Sequence, residues 1–248
     1  GRAQLSWINA ATDLVMNKQA DALVTGPVSK KVISQSGVPG AESFAGHTEH
    51  IAARTGARFP IMIFVAPELS TALVTTHLAL KDVSSHLTPE TVMQATSHLC
   101  ELLWLLGKRP ARVAVASLNP HAGEQGMFGD EETRVITPGI ERARTALKDR
   151  GIEGILTGPL GGETAFRQAF NGHFDGVVAM YHDQATIPMK VRCFGEAVNL
   201  TAGLPLIRTS VDHGTAYDIA ATAQADAASM IEAIRLAARL ARAKRAPH

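Results

Sequence analysis

The chain has 248 residues, 46% of them hydrophobic and 19% charged, with a net charge of +1. This composition excludes a disordered or fibrous chain and gives no general affinity for nucleic acid or an anionic membrane. Two cysteines, Cys100 and Cys193, make neither a disulfide framework nor a C-x-x-C pair, and no apolar run reaches the length of a bilayer span, so a cytoplasmic enzyme or binding protein is expected.

The sequence opens on GRAQLSWINAATDLVM, without a start Met, and reads as a piece of a longer protein that begins at a helix. From there, short apolar runs alternate with helical patterns. A helix over residues 6–18 precedes the strand ALVTG, residues 22–26. Two runs follow, IMIFVA at 61–66 and TALVTT at 71–76, separated only by PELS, which predicts an antiparallel excursion. A helix over 88–106 has good start chemistry, with Thr88 as cap, Pro89 in the first turn and Glu90 near the positive end. RVAVASL at 112–118, a helix over 130–149, GILTG at 154–158, a helix over 164–170, GVVAMY at 176–181, AVNLTA at 197–202 and a helix over 225–243 complete the series. Short continuous apolar strands alternating with helices predict an α/β fold with a mainly parallel, doubly covered sheet.

In open α/β sheets ligands gather beyond the carboxyl ends of the strands. Three predicted strands are followed by a histidine: His77 after TALVTT, His121 in NPHAGE after RVAVASL, and His182 in YHDQ after GVVAMY. A single loop imidazole is most often a hydrogen-bonded surface group. Three at the same sheet edge suit Zn²⁺ or a similar divalent ion, with Asp183 or Glu124 orienting the rings. FAGHTEH places His47 and Thr48 in a loop, with Thr48 also readable as the cap of a helix over EHIAAR. Lys190, Asn199 and Arg208 fall in or after the β-like pieces IPMK, AVNLT and PLIRTS, a set of donors suited to a small anion such as a phosphate. No G-x-x-x-x-G-K-[ST] loop, G-x-G-x-x-G turn or G-x-S-x-G elbow occurs, so the common nucleotide loops and the serine hydrolase elbow are not encoded.

The segments FAGHTEH, TTHLAL, SLNPHAGEQGMFGDEE, AMYHDQ and VNLTAGLPLIRTSVDHGTAYDIA, in this order along nearly the whole chain, resemble the signature segments of the 4-hydroxythreonine-4-phosphate dehydrogenase family of pyridoxal phosphate biosynthesis. The resemblance implies a two-lobed α/β fold of the isocitrate and isopropylmalate dehydrogenase type around a central cleft, in a homodimer with a shared active site. Residues 1–20 and 205–248 would then belong to the first lobe, and 21–204 to the remainder with the metal-binding cleft. It implies His77, His121 and His182 as metal ligands for Zn²⁺, Mg²⁺ or Co²⁺, and His47, Thr48, Lys190, Asn199 and Arg208 as substrate contacts. The loop DHGTAYDIA resembles the one that grips the adenosine of NAD in isopropylmalate dehydrogenases, implicating His213, Gly214 and Asp218 in binding NAD or NADP.

The implied reaction oxidises and decarboxylates 4-phosphohydroxy-L-threonine, with Asp183, Lys190 or a bound water as base. Erythronate or threonate 4-phosphate are alternative substrates. A metal-dependent hydrolase or lyase without nicotinamide is the competing class. The family's glycine-rich front segment, GDPAGIGPE-like, is absent, Glu163 stands where an Asp is usual, and MFGDEE replaces an HFGREE-like run.

Overall fold

The computed structural model describes residues 1–193 and 195–245. Among these, two compact units form, one from residues 1–60 with 198–245 and one from the described residues of 61–197. The boundaries thus fall at residues 60 and 197, where the sequence reading set them at 20 and 204.

In the first unit, helix α1 (Arg2–Met16) buries Leu5 and Ile8 at helical spacing, and Thr12 turns its hydroxyl back to the Ile8 carbonyl at 2.7 Å. Strand β1 (Ala22–Thr25) leads into α2 (Lys30–Ser34), whose first turn is capped by the Ser29 side chain, and then α3 (His47–Thr55). Strands β7 (Val198–Ala202) and β8 (Ile207–Ser210) return to this unit and are antiparallel, while β8 pairs parallel with β1. Helix α9 (Ala228–Arg245) packs on these strands from one side, and Thr209 hydrogen-bonds the Ala233 carbonyl at 2.9 Å. The α1–α3 region supplies the other side through Leu5, Ile8, Ile33, Phe44 and Ile51 around Leu23.

The second unit holds strands β2 (Ile61–Val65), β3 (Ser70–Leu73), β4 (Ala111–Ala116), β5 (Gly154–Leu160) and β6 (Gly176–Ala179), in the order β2-β3-β6-β4-β5. β2 and β3 are the expected antiparallel pair, and every other neighbour pair here is parallel. Short α4 (Val83–His86) precedes α5 (Pro89–Leu105), which packs with α6 (Thr137–Asp149) over one face of the sheet. On that face a Cβ at Gly176 would fit only tightly, 3.0 Å from the Leu99 and Leu103 side chains of α5, which would have to give way. Helices α7 (Gly162–Phe170) and α8 (His182–Cys193) cover the other face, packing Phe166, Ala169, Ala185 and Met189 against Leu73, Ala114, Val177 and Ala179. Alternate strand residues therefore face different helices, which explains why each strand reads as a continuous apolar run.

Two expectations are corrected. IPMK is not β-like: it lies in α8, whose buried residues Ala185, Thr186, Met189 and Cys193 follow helical spacing. Pro188 and the β-branched Thr186, Ile187 and Val191 disguise that period, since all are weak helix formers. Thr48 is not a helix cap: α3 begins one residue earlier, after Gly46. Among the described residues no helix is long and apolar enough to cross a membrane.

At the start of α5 the cap reads as expected: the Thr88 hydroxyl accepts the Thr91 N–H at 3.1 Å, and the Thr91 hydroxyl accepts the Thr88 N–H at 3.0 Å. Thr88→Ala is expected to destabilise the protein by about 1 kcal/mol. Urea unfolding checks this as a lowered midpoint at constant slope.

Candidate active site

The first unit gathers a polar cluster on one face of its strands. Arg208 on β8 is only 4% exposed. Its guanidinium donates to the Thr25 hydroxyl through Nε and Nη2 at 3.2 and 2.9 Å, and through Nη1 to Thr201 at 2.8 Å and Thr48 at 3.2 Å. Strand register explains the set: Thr201 lies directly across from Arg208, and Thr25 lies beside Ser210, two residues on and on the same face. Among the described residues no salt bridge neutralises this charge. Burial pushes the Arg208 pKa down to about 10, which still leaves the guanidinium charged at neutral pH. The nearby Glu49 carboxylate opposes the effect of burial, but every side-chain hydrogen bond of the guanidinium goes to a neutral hydroxyl, so this buried cation is complementary to an incoming anion.

Two further predicted residues join it. Asn199 on β7 lies across from Ser210, and its buried Oδ1 has no hydrogen-bond partner among the described residues. A buried acceptor left open in this way suits a donor on a bound molecule. His47 starts α3 one residue before Thr48, and its pKa falls to about 4, first through burial and then through the nearby Arg208, His50 and Lys30 charges. The imidazole is therefore neutral at physiological pH and can offer both a donor and an acceptor. Gly46 lets the chain enter α3 here: a Cβ would come 2.9 Å from Glu49 Oε2 and 3.3 Å from Lys30 Cε. Thr25 and Thr201 were not singled out from sequence. Their only signal is position, at the end of one apolar strand and opposite an arginine on another.

The second unit carries the three histidines. Strands β3, β6 and β4 are consecutive and parallel, so the segments that follow them leave one edge of the sheet. His77 and His182 come together, with ring centroids 5.7 Å apart. His182 opens α8, and its Nδ1 lies 2.7 Å from Asp183 Oδ1. An ionised carboxylate accepts, so Nδ1 carries the proton and Nε2 is left as the free lone pair. His121 is not drawn into the pair. It sits in the turn Pro120–Gly126, where residues 121–125 all have positive φ, and its ring packs against Phe128 at 6.3 Å. Left-handed backbone costs about 1–2 kcal/mol for each residue with a Cβ, so this turn is held from outside. Among the described residues no group of three His, Cys, Asp or Glu side chains is close enough to hold an ion.

Of the remaining predicted residues, Lys190 is exposed near the end of α8, and Glu124 is exposed within the left-handed turn. His213, Gly214 and Asp218 lie in the exposed segment after β8, where His213 Nδ1 is 2.9 Å from the Gly214 carbonyl.

Because His47 has a folded pKa near 4 against an ordinary 6.5, the unfolded chain binds the extra proton first as pH falls. Its contribution to stability is complete above about pH 6.5 and is lost progressively toward pH 4. His47→Asn is expected to flatten the stability curve across that window, checked by denaturant unfolding at a series of pH values.

Comparison with known proteins agrees with these segments. The family model described as pyridoxal phosphate biosynthetic protein PdxA matches residues 1–237. The 4-hydroxythreonine-4-phosphate dehydrogenase of Desulfosudis oleivorans is 47% identical over 96% of this chain and 68% of its own length. The D-threonate 4-phosphate dehydrogenase of Salmonella typhimurium is 42% identical over 94% of this chain and 68% of its length. Among solved structures, a 4-hydroxythreonine-4-phosphate dehydrogenase from Klebsiella pneumoniae superposes with a TM-score of 0.80 at 39% identity, covering 94% of this chain and 68% of that one. A terephthalate 1,2-cis-dihydrodioldehydrogenase from Burkholderia xenovorans gives a TM-score of 0.72 at 30% identity, over 96% and 72%. The fold is accordingly the α/β type of the isocitrate and isopropylmalate dehydrogenases, and the chain belongs to the pyridoxal phosphate biosynthetic protein PdxA family of oxidoreductases.

Proposed function

We propose that the protein oxidises and decarboxylates 4-phosphohydroxy-L-threonine to 3-amino-2-oxopropyl phosphate, with NAD or NADP as oxidant and a divalent ion as helper, in pyridoxal phosphate biosynthesis. The observation that carries this reading is the buried Arg208 guanidinium, ringed by the hydroxyls of Thr25, Thr48 and Thr201, with the open Asn199 acceptor on the same strand face. A substrate bearing anionic groups together with an amine and a hydroxyl supplies what each of these side chains lacks. Arg208 offsets its negative charge, Asn199 accepts from a substrate N–H or O–H, and neutral His47 and Thr48 orient it.

The donor chemistry around His77 and His182 fits a divalent ion: two neighbouring imidazoles, one of them oriented by a carboxylate. His77, His121 and His182 are assigned to hold Zn²⁺, Mg²⁺ or Co²⁺. A bound ion would supply a lowered pKa for a hydroxyl it meets, and a bound nicotinamide would supply the electron acceptor. Asp183, engaged with the His182 ring, serves orientation, and Lys190 is assigned the substrate's proton and charge. His213, Gly214 and Asp218 are assigned to the adenosine end of the dinucleotide. We infer a homodimeric, cytoplasmic enzyme. The Salmonella relative's name supports a second reading, in which the same pocket takes threonate 4-phosphate or its erythronate counterpart.

The test is NADH or NADPH formation with each of the three phosphorylated acids, in the presence and absence of Zn²⁺, Mg²⁺ or Co²⁺. Metal-dependent turnover fastest with phosphohydroxythreonine is expected, and turnover with none of the three acids overturns the proposal. Arg208→Leu is expected to raise KM for the phosphorylated substrate about tenfold or more, the scale of a lost hydrogen bond to a charged group.

A further inference from the structure

The segments carrying the three histidines are tied together by side chains that have no part in the proposed chemistry. Thr75, two residues before His77, donates both its N–H and its hydroxyl to the Met180 carbonyl, at 3.2 and 2.7 Å. Met180, two residues before His182, in turn donates its N–H to Gln184 Oε1 at 2.7 Å. The other end of the same carboxamide, Gln184 Nε2, donates to the Ser117 carbonyl at 2.7 Å. Ser117 passes the connection on, its hydroxyl donating to the Asn119 carbonyl at 2.9 Å, two residues before His121. Every histidine thus lies two residues downstream of a backbone group fixed by one continuous polar chain.

Glu132 completes it from the other side. It is 4% exposed, and its Oε1 accepts the N–H groups of Leu118 and Asn119 at 2.9 and 2.8 Å, while Oε2 accepts from Asn119 Nδ2 at 3.0 Å. Asn119 Nδ2 also donates to Glu131 Oε2 at 2.7 Å, and Ser84 donates to Glu131 Oε1, which together hold the Glu131 carboxyl below its usual range. The left-handed turn follows at once, and Gly123 at φ 78° leaves room for Glu132: a Cβ there would come 2.7 Å from Oε2. Glu132 also opens a π-helical turn, Glu132–Ile136, an insertion of the kind that concentrates at functional sites.

We propose that Gln184, together with Glu132, is a positioning residue for the histidine set: Gln184 fixes the start of α8 against the end of β4, and Glu132 holds the backbone that delivers His121. This rests on the reading of those histidines as holders of a divalent cation. A half-buried glutamine could serve the fold alone. Here both ends of its carboxamide are spent on backbone groups belonging to two different histidine-bearing segments, and a tie that served only stability has no need of that placement. Partners that orient metal ligands in this way typically alter metal affinity by about 10–100-fold.

The experiment uses the full chain, stripped of metal, with Co²⁺ as probe and visible absorption as readout, alongside amide hydrogen exchange at residues 118–126 of the metal-free protein. Gln184→Glu keeps the shape and the acceptor for Met180 but sets an oxygen against the Ser117 carbonyl. It is expected to weaken Co²⁺ binding about tenfold or more, to speed exchange at 118–126, and to lower kcat while KM for the phosphorylated substrate stays near that of the unaltered protein. Gln184→Leu is expected to do the same, and where it fails to fold the isosteric Gln184→Glu decides. Glu132→Gln keeps Oε1 for the two backbone N–H groups and is expected to retain most of the affinity, whereas Glu132→Leu loses it. A Gln184→Glu protein with a lowered melting temperature but unchanged cobalt affinity and exchange overturns the proposal, because its tie is then structural only. His121→Ala is the reference. Loss of cobalt binding there with none in Gln184→Glu overturns positioning alone, and unchanged binding in both overturns the cation reading and the proposal with it.

Discussion

Three parallel strands lying side by side must release their carboxyl ends at one edge of the sheet, and the site in the second unit depends on that constraint. β3, β6 and β4 are neighbours in that order, and each is followed by a histidine. Strands lie about 4.8 Å apart, so residues leaving adjacent ends are within side-chain reach before any loop is specified. The 5.7 Å approach of His77 and His182 comes directly from β3 and β6 being partners. His121 arrives by a different route, through a left-handed turn, and its place depends on what anchors that turn.

The first unit meets a different requirement. A guanidinium taken out of water must be repaid in hydrogen bonds, and Arg208 receives them from three threonines contributed by β1, β7 and α3. The hydroxyls take the hydrogen bonds without cancelling the charge, and the Glu49 carboxylate acts on it only from a distance, without a hydrogen bond. The same field, added to burial, keeps His47 neutral. Solvation of the cation and recognition of an anion are thus served by one arrangement, and the pattern of two facing strands generates it. Asn199 belongs to that pattern too, since residues two apart on β7 share a face and Thr201 already faces Arg208.

Much of this was legible from residue order. The strands lie close to where the apolar runs are, because a doubly covered parallel strand has no polar face to interrupt it. β2 and β3 form the expected antiparallel pair, and Thr88 with Pro89 opens α5 as its chemistry requires. What failed was local. IPMK reads as β-like from its β-branched neighbours, with Pro188 speaking against a helix, yet it is held as helix by Ala185, Met189 and Cys193 packing on the sheet, a tertiary gain that outweighs weak propensity. Thr48 reads as a cap because its type is right for one, but the buried arginine, 160 residues away in sequence, claims its hydroxyl.

The sequence by itself determined the α/β class, most of the strands, and which residue types stand at their ends, since these follow from periodicity and short-range chemistry. Strand order, register and the polar ties belong to tertiary structure. Nothing in the text of the chain states that β6 lies between β3 and β4, that Thr201 faces Arg208, or that Gln184 reaches the Ser117 carbonyl. Those are contacts between distant segments, and they are chosen by how the whole chain buries its apolar faces while leaving few buried polar groups without a partner.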